Sequence, residues 1–183
     1  MAAATHVALL RGINVGGRNK LPMKQLVGIF ERAGARDVRT YIQSGNVVYA
    51  ASAAVAKGIA DAVQRGIDSE LKLDVPVVTR TAKQLARVVA NNPYIAEGAD
   101  EARLHVAFLA RKPTDKRIAA LDPQRSPPDS FRAVGAELYL HCPGGMARTK
   151  LTNAYLDRQL DTVSTMRNWK TVTKLLSMCE QST

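Results

Sequence analysis

Three features of this 183-residue chain predict an α+β fold of two ferredoxin-like subdomains, each of βαββαβ type, forming a pseudo-repeat with an extra C-terminal helix. Over the first 80 residues, β-branched runs and helical periodicity follow one another in the order β-α-β-β-α-β. The run LHVAFL at 104–109 repeats THVALL at 5–10, with His6 and His105 in matching places 99 residues apart. Beyond residue 81 the same series of elements returns. The expected boundaries are therefore 1–80 for the first subdomain and 81–183 for the second, which also carries a connecting helix and a final helix.

Residues 5–10 are continuously apolar or β-branched, which suits a buried strand better than a surface one. Pro22 stands at a helix start, and Leu26, Ile29, Phe30 and Ala33 recur at helical spacing before Gly34. Strands over 38–43 and 46–50 flank Ser44 and Gly45, a small joint able to close a hairpin. A longer helix is expected over 53–71, then a strand over 75–79 whose Pro76 places it at a sheet edge. Thr81 can cap a connecting helix over 82–90 that Asn91, Asn92 and Pro93 end. The second series reads as a strand over 103–110, a helix over 114–121, strands over 130–134 and 137–141, and a helix over 149–160. A last helix over about 168–178 takes the place of the sixth element.

Hydrophobic residues make up 46% and charged residues 23%, the proportions of an ordinary globular protein, so disorder is expected only at the ends. Twenty-six Lys and Arg against 16 Asp and Glu give a formal charge of +10, which favours polyanionic or phosphorylated partners. Each half carries +5, from eleven cations against six acids before residue 81 and fifteen against ten after it. Two cysteines, Cys142 and Cys179, cannot form a disulfide framework, and a cytoplasmic setting follows. No apolar run approaches the roughly 18 residues of a membrane span, and no signal-like segment opens the chain.

The segment RGINVGGRNKLPM at 11–23 joins three glycines, two asparagines and three basic residues with no acid among them. Its exposed N–H groups and cations (Arg11, Asn14, Gly16, Gly17, Arg18, Asn19 and Lys20) suit an anion. The G-x-x-x-x-G spacing is that of a P-loop, yet Arg18 and Asn19 replace the Lys and the Mg²⁺-holding hydroxyl, which argues against NTPase chemistry. At the hairpin joint Gln43, Ser44 and Asn46 can donate and accept hydrogen bonds, although turn formation accounts for all but Gln43. Arg148, Lys150 and Asn153 cluster at one expected helix start, and Arg167, Asn168 and Lys170 at the next. Trp169, the single tryptophan, can stack on a base, but a packing anchor is the more economical reading. No nucleophile, general base, metal site or cofactor motif stands out. His6 and His105 lie inside apolar strands, and His141 and Cys142, as strand neighbours, point to opposite faces.

The blocks LLRGINVGGRNKLPM, TYIQSGNVVY, NNPY, TKLTNAYLDRQL and TMRNWKTVTKL together resemble the bacterial family catalogued as domain of unknown function 1697. The resemblance implies two α+β subdomains of ferredoxin-like character and no activity, and it transfers no residue role.

Two functional expectations of different classes follow. In the first, the two loops and the two C-terminal helix starts converge in a basic cleft between subdomains that binds a nucleic acid or a phosphorylated small molecule. In the second, an enzyme clamps a small anionic metabolite with Arg11 and Lys20 and orients it with Asn14, Asn46 or Asn168. A non-catalytic interaction module is the third reading. The 5% aromatic content weighs against an RNA-recognition sheet.

Overall fold

A computed structural model gives the structure of residues 3–181. The chain folds into two units. One extends through Ala86 and resumes at Leu175, and the other runs from Arg87 to Lys174. This division differs from a cut at residue 80, because the chain returns to the first unit at its C-terminal end.

The first unit contains β1 (Ala4–Leu10), α1 (Met23–Arg32), β2 (Arg36–Tyr41), β3 (Asn46–Ala51), α2 (Ala53–Leu71) and β4 (Val77–Thr81). The sheet order is β2-β3-β1-β4, and every neighbouring pair is antiparallel. Ala8 and Leu10 of β1, Val47 and Tyr49 of β3, and Val77 of β4 pack with Leu26, Ile29 and Phe30 of α1 and Ile59, Val63 and Ile67 of α2. Strand alternation puts Val7, Leu9, Val48 and Val78 on the other face, where they too are buried. Both faces of β1 being buried explains its unbroken apolar run.

Local chemistry marks the element ends. Ser52 accepts from Val55 N to start α2. Thr81 and Gln84 form a reciprocal capping box, Gln84 N donating to Thr81 Oγ1 at 3.0 Å and Thr81 N to Gln84 Oε1 at 2.8 Å. That box opens α3 (Ala82–Ala90), which is followed by the short α4 (Pro93–Ala96). Asn92 and Pro93, expected only to end the connecting helix, instead cap and begin α4. The strand expected over 75–79 lies two residues later, with Pro76 just ahead of it, and β4 is an edge strand.

The second unit contains β5 (Leu104–Leu109), α5 (Asp115–Ala119), β6 (Ser130–Val134), β7 (Glu137–His141), α6 (Asn153–Leu160) and β8 (Ser164–Asn168). Its order, β6-β7-β5-β8, is again wholly antiparallel. Leu138, Leu140 and Leu109 pack against Tyr155, Leu156 and Leu160 of α6. The sixth element is thus a strand, and α7 (Trp169–Glu180) is additional to it rather than a replacement. The strand escapes hydropathy because its buried residues Ser164 and Thr165 are polar. The helix expected from 149 begins only at Asn153, with Thr152 as its cap, while Met146–Arg148 form a 3₁₀ turn. Among the described residues no helix is long and apolar enough to cross a membrane.

Candidate functional site

Between β1 and α1 the chain folds into a miniature hairpin. Val15 and Arg18 form an isolated antiparallel bridge. Arg18 N donates to Val15 O at 3.0 Å and Asn14 N to Asn19 O at 3.1 Å. Gly16 and Gly17 at its tip have φ of +57° and +76°, the pair of positive values a two-residue turn of this hand demands. Two asparagines fix the hairpin to the unit. Asn14 Nδ2 donates to Leu21 O at 3.0 Å and to Gln43 O at 2.9 Å, and its Oδ1 accepts from Leu21 N at 2.9 Å. Asn19 Nδ2 donates to Gly12 O at 2.8 Å.

The bond to Gln43 O reaches the second loop, Ile42 to Gly45, which joins β2 to β3. There the fully buried Asn46 donates through Nδ2 to Tyr41 O at 3.2 Å and Ser44 Oγ at 3.0 Å. Leu10 N donates to Gly45 O at 2.8 Å. An ideal Cβ on Gly45 would stand 2.6 Å from Leu10 Cβ, so the approach is possible only for glycine. The two sequence-distant loops therefore stand side by side.

Within this pair of loops the residues divide by role. The amides of Asn14, Asn19 and Asn46 are engaged in holding backbone, as above. Arg18, Lys20 and Gln43 are exposed, and among the described residues neither cation makes an ion pair. Gly16 and Gly17 are exposed too. Arg11 is half-buried, and its backbone N donates to Pro76 O at 3.0 Å. No acidic residue occurs in 1–30 or in 38–60, so nothing within either loop neutralises these cations.

The second unit supplies an internal control. Leu109 N donates to Ala136 O and Ala110 N to Val163 O, as Leu10 N does to Gly45 O and Arg11 N to Pro76 O. With the frames aligned in this way, β1 and α1 are joined by twelve residues (11–22), but β5 and α5 by five (110–114). The β2–β3 joint has four residues (42–45) and the β6–β7 joint two (135–136). Both loops of the candidate site are longer than their counterparts.

The other expected site residues belong to the second unit. Arg148 and Lys150 are exposed ahead of α6, and Lys150 N donates to Ser126 Oγ at 2.9 Å. Asn153 Oδ1 accepts from Ser164 Oγ at 3.1 Å. Arg167 lies in β8, where Nη1 donates to Thr165 Oγ1 at 2.9 Å and Met166 O at 2.8 Å, and burial lowers its pKa to about 10. Asn168 caps α7, accepting from Thr171 N at 2.8 Å. Trp169 is 3% exposed and Lys170 is exposed. Asn153 is held beside Ser164 at one end of β8, whereas Asn168 and Lys170 stand at its other end, about 13 Å away for a strand of that length.

Two residues of the first unit's loops were missed by sequence reading, Val15 at 64% and Ile42 at 54% exposure. Ile42 was hidden because an isoleucine beside Tyr41 reads as the end of a strand. Two of the three histidines are engaged with aromatic rings, His6 stacked on Tyr49 with ring centroids 5.4 Å apart and His141 tilted against Tyr94 at 5.6 Å. Burial pushes both thiols up to about 11, which keeps them protonated at neutral pH. Among the described residues no group of three or more His, Cys, Asp or Glu could hold a metal ion.

The family model described as protein of unknown function (DUF1697) matches residues 3–139. A solved structure, that of the conserved bacterial protein SP0830 from Streptococcus pneumoniae, is similar to the chain with a TM-score of 0.73 and 20% identity. The match covers 97% of this chain and 99% of that one. No curated protein matches.

Proposed function

Since the chain belongs to the family described as protein of unknown function (DUF1697), whose description carries no activity, we propose a function from the site itself: binding of an anionic, phosphate-bearing ligand. The carrying observation is the pairing of two loops, both longer than their counterparts in the second unit, that present Arg18 and Lys20 together with the Gly16–Gly17 turn. A scaffold that closes its second copy with five and two residues has no structural need of twelve and four. Backbone N–H groups of a glycine turn flanked by cations suit phosphate oxygens. The net charge of +10 adds long-range attraction for the same ligands.

Each unit is read as ferredoxin-like and the two as a pseudo-repeat, a reading supported by the shared strand order. A cytoplasmic setting fits two free, buried cysteines.

Thermal-shift and calorimetric titration with pyrophosphate, longer polyphosphate and nucleotides tests the proposal. A ligand at 100 times its dissociation constant stabilises the fold by about 2.7 kcal/mol. The double variant Arg18→Glu, Lys20→Glu loses that stabilisation while keeping its own unliganded midpoint, because both side chains are exposed. An undiminished shift in this variant would remove the site from these loops.

A further inference from the structure

We propose that the phosphate-bearing ligand is a single-stranded nucleic acid, whose bases pack on Val15 and Ile42 while its phosphates meet Arg18 and Lys20. This rests on the anion-binding reading above and adds the chemistry that anion binding leaves unexplained.

Val15 and Ile42 are the two most exposed large hydrophobic side chains among the described residues, at 64% and 54%. Each immediately adjoins one partner of the Asn14 Nδ2 to Gln43 O bond, 2.9 Å long, so the two loop tips carry them on neighbouring stretches of backbone. Ile42 has φ +49°, the left-handed region in which a β-branched residue is strained. Asparagine or glycine would serve that turn better, and a side chain more than half exposed contributes little to a core. Neither the turn nor the packing accounts for an isoleucine there.

The surroundings decide what it could meet. Arg18 and Lys20 supply cations, and the exposed Gln43 offers an amide with two donors and an acceptor. Polar groups on the same two loops as the apolar tips are poorly suited to hydrocarbon, where each unsatisfied donor is penalised. They suit an unstacked base, which combines an apolar face with a hydrogen-bonding edge and a phosphate on either side. A duplex hides its base faces, so the single strand is the better match. The side chains stand out from the surface and fit an extended strand better than a ligand that must be enclosed.

The test is fluorescence anisotropy on the full chain with four probes at low salt: a labelled single-stranded oligonucleotide, an abasic strand of equal length, polyphosphate as competitor, and phosphatidylserine vesicles by sedimentation. The base-bearing strand is expected to bind about tenfold tighter than the abasic one. In the double variant Val15→Ser, Ile42→Asn this preference falls below about twofold, with abasic-strand and polyphosphate affinities unchanged. That variant folds, since both positions are exposed and asparagine tolerates the left-handed region. Equal affinity of the wild type for both strands overturns the inference and leaves the anion reading standing. Vesicle binding without a preference for bases likewise overturns it in favour of a membrane surface. Failure to bind any polyanion removes both proposals.

Discussion

Glycine acts in two separable ways in the paired loops. At Gly16 φ is +57° and a Cβ would meet nothing within 4 Å, so substitution meets only the left-handed penalty. At Gly45 φ is +77° and the Cβ would lie 3.1 Å from Ile13 Cδ1 and 2.6 Å from Leu10 Cβ, an atom fixed to the β1 backbone that cannot give way. Gly16→Ala is therefore expected to cost about 1 kcal/mol. Gly45→Ala adds overpacking to the same penalty, about 3 kcal/mol or more in all, and it also pushes the two loops apart. Urea unfolding of the two variants measures the difference, and equal midpoints would contradict the packing described at Gly45. If the loops form one site, the Gly45 variant also loses anion binding at concentrations where it is still folded.

The strand order common to the two sheets extends to side chains that share a register. Val7 pairs with Arg80 and Val106 with Arg167, so each sheet carries an arginine at the same place on its edge strand. Each donates from Nη1 to the carbonyl of the preceding residue at 2.8 Å. His6 and His105 likewise correspond, and burial lowers the pKa of both below the ordinary 6.5. Folded, the rings resist protonation, while the unfolded chain accepts protons near the ordinary value. The unfolded state thus binds more protons below that value, and stability present above pH 6.5 is lost as pH falls from there through the lower folded-state values. The urea midpoint of the wild type should drop more between pH 7.5 and pH 5.5 than that of His6→Phe; parallel profiles would refute the linkage. Much of this element-level order was legible beforehand. THVALL and LHVAFL show openly the two strands that hold the same place in their sheets, and α2, α3, β6 and β7 lie at the expected bounds. Strand β8 was not legible, because Ser164 is buried through its bonds to Asp157 Oδ1, at 2.7 Å from N and 2.6 Å from Oγ, rather than through hydropathy. Hydrogen bonds between residues seven apart leave no periodic trace.

Domain boundaries have the same origin in contacts that no local pattern encodes. Helix α7 serves both units, with Trp169 and Val172 buried in the part assigned to the second and Leu175 and Cys179 in the part assigned to the first. Arg39 Nη2 donates to Met178 O at 2.8 Å across 139 residues of chain. A single amphipathic helix reads from sequence as one element of one domain, so a cut near residue 80 was the natural expectation. The basic segment 11–20 and the 43–46 joint were visible as motifs, but their adjacency depends on Asn14 reaching Gln43 O, 29 residues away. The shared helix has a consequence for the whole chain. Ending it after Lys174 removes Leu175 and Cys179, 1% and 2% exposed, together with the Arg39 bond. The lost burial alone is worth about 3 kcal/mol or more, a large fraction of an ordinary domain's stability. Because those contacts belong to the first unit, the loss should be local to it. In the truncated chain, amide exchange should accelerate in β1, β3 and β4 while β5 and β7 keep their protection. Uniform acceleration across both sheets would mean that the units unfold as one, and unchanged protection would mean that the first unit does not depend on the end of α7.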